Sequence, residues 1–210
     1  NLIMRKILLI GSGKSASYLL KYLLDKSSIE NLFITVGDLN IETAKRLIGN
    51  HKNAEAILLD IFNEASRKNA IKNADIVVSM LPASLHIEIA KDCILYEKNM
   101  VTASYVSPEM QALNDEAKAK GLLFMNEIGV DPGIDHMSAM QVLDRIRDDG
   151  GNVILFESFT GGLIAPESDN NLWNYKFTWN PRNVVTAGQG GAAKFLQEGT
   201  YKYIPYNRLF

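Results

Sequence analysis

The sequence predicts an α/β fold, a doubly wound parallel sheet, on three observations. Short apolar runs alternate with helical patterns, a glycine-bearing turn joins the first run to the first helix, and an aspartate closes the second run. The strands are expected at Ile7–Ile10, Leu32–Val36, Ala56–Leu59, Asp75–Leu81, Asn99–Thr102 and Leu122–Met125. Helices fit from Ala16, from Asn40, over Asn63–Ile71, over Leu85–Tyr96, from Ser107 to about Lys120, and over Ile134–Arg147. Strands separated by helices imply right-handed crossovers, and hence parallel pairing.

The first turn is Gly11-x-Gly13-x-x-Ala16, with Lys14 and Ser15 between the last two small residues. Gly11 permits the bend, Gly13 lets a pyrophosphate approach the backbone, and Ala16 lets helix and strand pack closely. The amides of Gly13, Lys14, Ser15 and Ala16 at the helix start, with the positive end of the helix dipole, then face the phosphates. Gly13-Lys14-Ser15 also looks like the end of a triphosphate-binding loop. That motif needs a glycine five positions earlier, where this chain has Leu8. A ligand-free strand-to-helix turn is the plainer alternative.

Asp38 follows the second strand, 25 residues after Gly13. In a dinucleotide-binding domain of the Rossmann type, an acid at that place accepts hydrogen bonds from the adenosine ribose hydroxyls. A carboxylate there repels a ribose 2′-phosphate, and no arginine follows it directly, so NAD is favoured over NADP. Asn40 is the expected cap of the next helix, with Glu42 in its first turn. Asp60, closing the third strand, either sits beside the adenine or simply terminates the strand. Leu81 and Pro82 close the fourth and could line the nicotinamide side.

The fifth strand leads into Ala103-Ser104-Tyr105-Val106, then Ser107-Pro108, an N-cap followed by proline at the first helical position. The sixth ends in Asn126-Glu127-Ile128-Gly129-Val130-Asp131-Pro132-Gly133, with Asp135 and His136 entering the next helix near the crevice. Gly150-Gly151 looks like a boundary. Beyond it Val153–Thr160 reads as a strand, and Gly161–Asn183 has no helical period. Trp173, Tyr175, Phe177 and Trp179 recur every second residue, so an extended segment would carry one aromatic face; core packing is the commoner reason for such a stripe, substrate contact the other. Gly188-Gln189-Gly190-Gly191 is expected to precede a short helix.

A net charge of −2 over 210 residues argues against a general nucleic-acid binder. No apolar run approaches the roughly 18 residues that span a bilayer. The start lacks a signal-peptide pattern, and Met4 is a candidate natural start. The single cysteine, Cys93, cannot form an internal disulfide, so a reducing cytoplasm is the default. His51, His86, His136 and Cys93 show no ligand spacing, and no metal is expected.

The chain resembles saccharopine dehydrogenase of the glutamate-forming type, or saccharopine reductase. The resemblance is carried by Thr102–Pro108, Asn126–His136, Gly161-Gly162-Leu163-Ile164-Ala165-Pro166-Glu167 and Tyr175-Lys176-Phe177-Thr178-Trp179-Asn180-Pro181-Arg182. It implies a Rossmann domain, here residues 1–130, followed from 131 to 210 by the start of an α+β substrate and dimerisation domain. It also implies a homodimer that reversibly cleaves saccharopine, a small amino-acid substrate, to L-glutamate and 2-aminoadipate 6-semialdehyde through an imine. On this match Ser104, Tyr105 and Asp131 contact the substrate. Gly11, Gly13, Ala16, Asp38, Asp60, Ser104, Val130, Asp131, Pro132 and Thr178 lie along the dinucleotide. Asp131, His136 and Tyr105, in that order, are the candidate acid–base groups; for His136, capping its helix or packing locally is an equal alternative.

Two departures from the family pattern matter. Its members prefer NADP and carry an arginine just after the second strand, where this chain has Leu39 after Asp38. They are also longer, with further substrate residues, an arginine among them, beyond the position of Phe210. A truncated chain is therefore expected, one that alone binds dinucleotide poorly and turns nothing over. The competing functions are a polyamine-forming relative such as carboxynorspermidine or homospermidine dehydrogenase, with Arg182 slightly favouring a carboxylate-rich substrate instead, and a non-catalytic dinucleotide-binding module.

Overall fold

The computed structural model describes residues 4–178, 181–186 and 191–208. Two compact units divide the chain, Asn1–Phe156 and Glu157–Phe210.

The first unit contains β1 (Arg5–Ile10), α1 (Ala16–Ser27), β2 (Leu32–Asp38), α2 (Ile41–Ile48), β3 (Ala54–Leu58), α3 (Glu64–Lys72) and β4 (Ile76–Ser79). It continues with α4 (His86–Leu95), β5 (Asn99–Thr102), α5 (Pro108–Ala112), α6 (Asn114–Ala119), β6 (Phe124–Met125) and α7 (Ile134–Asp148). The strands form one sheet in the order β3-β2-β1-β4-β5-β6, and each neighbouring pair is parallel. This is the expected doubly wound arrangement, with the strand order reversing between β1 and β4.

Central β1 is buried on both faces, which is why it reads as an unbroken apolar run. Ile7 and Leu9 join Ala16, Leu20, Ile34, Val36 and Ala44 in one core. Leu8 and Ile10 join Ile71, Val77, Ile89 and Met100 in the other. Caps fix the helix starts: the Asn40 side chain accepts from the Thr43 amide at 3.2 Å, Asn63 from Ser66 at 3.0 Å, and Ser107 from Met110 at 3.2 Å.

Several boundaries differ from the sequence reading. The helix expected from Ser107 to Lys120 divides at Leu113, which caps α5 and opens α6. The fourth strand stops at Ser79, so Leu81 and Pro82 lie in the following loop. The strand expected over Val153–Thr160 does not form. Apolar composition alone does not make a strand without a neighbour to accept its ladder, and Ile154 is 98% exposed.

In the second unit a short helix, α8 (Pro181–Thr186), precedes β7 (Ala193–Gln197) and β8 (Thr200–Ile204), an antiparallel hairpin. A strand thus replaces the helix expected after Gly191. The cause is the two-residue turn: Glu198 and Gly199 both take positive φ, 52° and 72°, the twist that a tight hairpin demands. The aromatic stripe is not one buried face, because Trp173 is 88% exposed. Tyr175 and Phe177 meet edge to face with ring centroids 5.5 Å apart. Trp179 and the Gly188-Gln189-Gly190 run lie outside the described residues.

Candidate active site

Parallel pairing brings the carboxyl ends of all six strands to one edge of the sheet, where ligands of such folds bind. At the end of β1, Gly11 has φ of +99°, and a Cβ on it would come within 3.0 Å of the Met80 carbonyl oxygen. Both facts require glycine there. Nothing lies within 4 Å of where a Gly13 Cβ would stand, so the backbone is open to an approaching group. Ala16 is fully buried, as close helix–strand packing needs. Lys14 and Ser15 are exposed, and Ser15, the N-cap of α1, makes no side-chain capping bond. The turn therefore fits a pyrophosphate: open backbone, small residues and a helix start.

Asp38 ends β2 and is tied directly to this turn. Its Oδ2 accepts from the Ser12 amide at 2.6 Å and the Ser12 hydroxyl at 2.7 Å, while Oδ1 accepts from the Asn40 amide at 2.7 Å. Partial burial pushes its pKa up, but the bonds from Asn40 and Ser12 outweigh this and hold it below the usual aspartate value. A full negative charge thus stands beside the glycine turn. The Asp60 carboxylate accepts from the Phe62 amide at 2.9 Å, a local turn that suits the strand-terminating alternative.

The loops after β5 and β6 are bound to each other. The Glu127 amide donates to the Ser104 carbonyl at 3.1 Å, and the Val106 amide to Glu127 Oε1 at 3.0 Å. Across this junction Tyr105 donates its hydroxyl to Asp131 Oδ1 at 2.9 Å. That bond, with burial and the Asp131 charge, raises the phenol pKa, so Tyr105 keeps its proton. The turn is closed by the Gly129 amide on the Pro132 carbonyl at 2.9 Å and the Asp135 amide on the Val130 carbonyl at 3.1 Å. Pro132 follows a cis peptide bond and is buried, whereas Val130 is exposed.

At the start of α7, Asp135 Oδ1 accepts from the Gly133 amide at 3.0 Å and lies 2.7 Å from His136 Nδ1. Partial burial pushes the Asp135 pKa up, and these bonds, the His136 side chain foremost, bring it below the usual value. Asp131, Asp135 and His136 each place one donor atom within 4.8 Å of the others, a grouping that no ligand spacing in the sequence suggests. The structure thus brings Tyr105, Asp131 and His136 together. Thr178 is exposed in the second unit, and Arg182 belongs to that unit too.

Sequence reasoning missed two features of this edge. Ser12 sits inside the glycine motif, yet it is the residue that fastens Asp38. His86, which shows no ligand spacing in the sequence, bridges Ser79 and Ser104, 2.8 Å from Ser79 Oγ and 2.7 Å from Ser104 Oγ. Among the described residues no helix is long and apolar enough to cross a membrane.

Residues 7–125 match the family model described as saccharopine dehydrogenase NADP binding domain, and residues 129–210 that of the saccharopine dehydrogenase C-terminal domain. The saccharopine dehydrogenase [NADP(+), L-glutamate-forming] of Schizosaccharomyces pombe is 40% identical over 93% of this chain and 43% of its own length. An alpha-aminoadipic semialdehyde synthase of Arabidopsis thaliana is 37% identical over 89% of this chain and 17% of that protein. The apo structure of saccharopine dehydrogenase (L-Glu forming) from Saccharomyces cerevisiae superposes with a TM-score of 0.83 at 32% identity, covering 98% of this chain and 45% of that one. A 3-ketoreductase of Actinomadura kijaniata shares the fold alone, at 19% identity and a TM-score of 0.52, over 70% of this chain and 44% of that one. The chain therefore spans less than half the length of the saccharopine dehydrogenases and the synthase that it matches. On the two matched models and this level of identity, it belongs to the saccharopine dehydrogenase family and carries that family's NAD(P)-binding domain.

Proposed function

We propose that the whole protein is a nicotinamide-dependent oxidoreductase acting on a CH–NH group, reversibly oxidising saccharopine to L-glutamate and 2-aminoadipate 6-semialdehyde, with NAD preferred over NADP. What supports it is one convergence: an ionised Asp38 fastened to the glycine turn, and a Tyr105–Asp131 pair at the same sheet edge. Bound there, the dinucleotide supplies the hydride acceptor.

The chain's own residues do the rest. The open Gly13 backbone and the start of α1 receive the pyrophosphate. Asp38 Oδ1 accepts one described bond, so it keeps a lone pair for a ribose hydroxyl. Asp131, oriented by the Tyr105 proton, takes the proton of the water that adds to the imine carbon; His136 is the second candidate for that task. Ser104 and Tyr105 hold the substrate, and Val130, Pro132 and Leu81 belong to the cofactor's surroundings on this reading. The protein works as a homodimer on a small amino acid, binds no nucleic acid or membrane, and sits in the cytoplasm. The last point rests on Cys93, the single cysteine of these 210 residues, which is free.

Two measurements test this reading. Saccharopine added with NAD should raise the NADH absorbance; activity on carboxynorspermidine without activity on saccharopine overturns the substrate. Asp38 repels a 2′-phosphate by about 1 kcal/mol per pair of unit charges at 4 Å in water, and by about 4 kcal/mol in a partly screened site. NADH should therefore bind at least roughly tenfold tighter than NADPH in calorimetry, and Asp38→Asn should narrow that gap. Equal affinities in the unaltered protein refute the preference.

A further inference from the structure

The ends of β4 and β5 carry a polar line that the proposed chemistry leaves unused. Ser79 is 1% exposed, His86 3% and Thr102 2%, beside the apolar core side chains Val77, Ile89 and Met100 of the same elements. Polar side chains buried together are costly unless they satisfy one another, and these do. Ser79 Oγ lies 2.8 Å from His86 Nδ1. His86 Nε2 lies 2.7 Å from Ser104 Oγ and 3.2 Å from Thr102 Oγ1. The Ser104 amide donates to Thr102 Oγ1 at 3.4 Å. Among the described residues, no buried side-chain nitrogen or oxygen lacks a partner.

The line opens at Ser104, which is half-buried and directly precedes Tyr105, the partner of Asp131. Ser104 is thus the point where a buried network meets the crevice. A neutral imidazole has one donor and one acceptor nitrogen, so its tautomer dictates which way the Ser104 hydroxyl faces.

We propose that His86 is a positioning residue for Ser104: it carries its proton on Nε2 and donates to Ser104 Oγ, turning the Ser104 hydroxyl hydrogen outward to an oxygen acceptor of the bound ligand, a carboxylate or a carboxamide. This rests on the reading of Ser104 as a ligand contact. The tautomer follows from the inner end of the line. Ser79 is fully enclosed, and Nδ1 is the described partner of its hydroxyl. With Nδ1 unprotonated, the Ser79 hydroxyl donates to it across 2.8 Å, and the Thr102 hydroxyl gives up only the longer, 3.2 Å contact to Nε2; the opposite tautomer gives up the shorter one. At the outer end Ser104 Oγ, 2.7 Å from Nε2, is a closer acceptor for its proton than Thr102 Oγ1 at 3.2 Å.

His86 is one of three histidines, with His51 and His136, so its ring nitrogens are identified by the signals that a His86→Gln variant loses from ¹⁵N-histidine spectra. At pH 7 the expected state is neutral and protonated on Nε2, with Ser104→Ala shifting the Nε2 signal. A proton on Nδ1, or an Nε2 signal indifferent to Ser104→Ala, overturns the proposal. NADH and saccharopine are then titrated separately into the unaltered protein, Ser104→Ala, His86→Phe and the double variant. Ser104→Ala should weaken one of the two ligands roughly tenfold, and which one identifies the acceptor as carboxamide or carboxylate. His86→Phe should weaken the same ligand similarly, the double variant should be no worse than either single one, and His86→Gln, whose amide donates at the Nε2 position, should recover most of the loss. Additive losses, or a His86→Phe without effect where Ser104→Ala has one, overturn the role of His86. Unchanged affinity for both ligands in Ser104→Ala overturns the ligand contact itself, and the proposal with it.

Discussion

Acidification should weaken this protein through His86 well before its carboxylates protonate. Burial lowers the His86 pKa from 6.5 to about 4, and its described partners are the uncharged hydroxyls of Ser79, Thr102 and Ser104. No carboxylate is among them to favour the imidazolium. A histidine whose folded pKa is depressed binds fewer protons in the folded state than in the unfolded one. Between pH 6.5 and about 4, then, stability rises with pH and falls on acidification, by about 1.4 kcal/mol per unit. From pH 7 to pH 5 that amounts to about 2 kcal/mol, and about 3 kcal/mol once pH 4 is reached. Urea titrations of the unaltered protein and of His86→Gln, each at pH 7 and pH 5, isolate the effect, since every other titrating group is common to both. With a slope of about 2 kcal/mol per molar urea, the midpoint should fall by roughly 1 M more in the unaltered protein. Parallel losses in the two proteins refute the reasoning. So does stabilisation on acidification, which requires a raised histidine pKa and hence an anionic partner.

Two further outcomes follow from buried contacts. Arg67 donates from Nε to Asp92 Oδ2 at 2.6 Å and from Nη1 to the Ile61 carbonyl at 2.6 Å, with both side chains buried between α3 and α4. Asp92→Ala strands the guanidinium charge, and chemical denaturation should show a loss of about 3–5 kcal/mol. Gly133 has φ of +148°, and its added Cβ would lie 2.2 Å from the Gly129 carbonyl oxygen, whereas Gly150, at φ of +79°, has nothing within 4 Å. Thermal melts should therefore show Gly133→Ala costing about 3 kcal/mol or more and Gly150→Ala only about 1 kcal/mol; equal costs would mean that the Gly129–Gly133 turn gives way freely.

The legible and illegible parts of this chain differ in the range of the forces that fix them. The sheet was readable because β1 is covered on both faces, so Ile7–Ile10 had to be an unbroken apolar run, and because Asn40 and Ser107 cap helices through bonds only three residues long. The same locality exposes the glycine turn and the loop after β6, whose polar residues are near neighbours in sequence. Val153–Thr160 failed because strand formation depends on an acceptor elsewhere in the chain, which composition does not encode. The hairpin of β7 and β8 was missed although Glu198-Gly199 signals it, since the glycine run just before drew the reading toward a helix start. The polar line is a different case. Ser79, His86, Thr102 and Ser104 are spread over 26 positions, two of them at the ends of strands read as apolar. Only the parallel register, which sets Ser79 opposite Thr102 on neighbouring strands, brings the four together. A buried hydroxyl at the last residue of two adjacent parallel strands, with a histidine opening the helix between them, is the pattern to seek in such a sequence. Neither strand alone has a packing reason to end on a polar side chain, but a partner on the intervening helix supplies one for both.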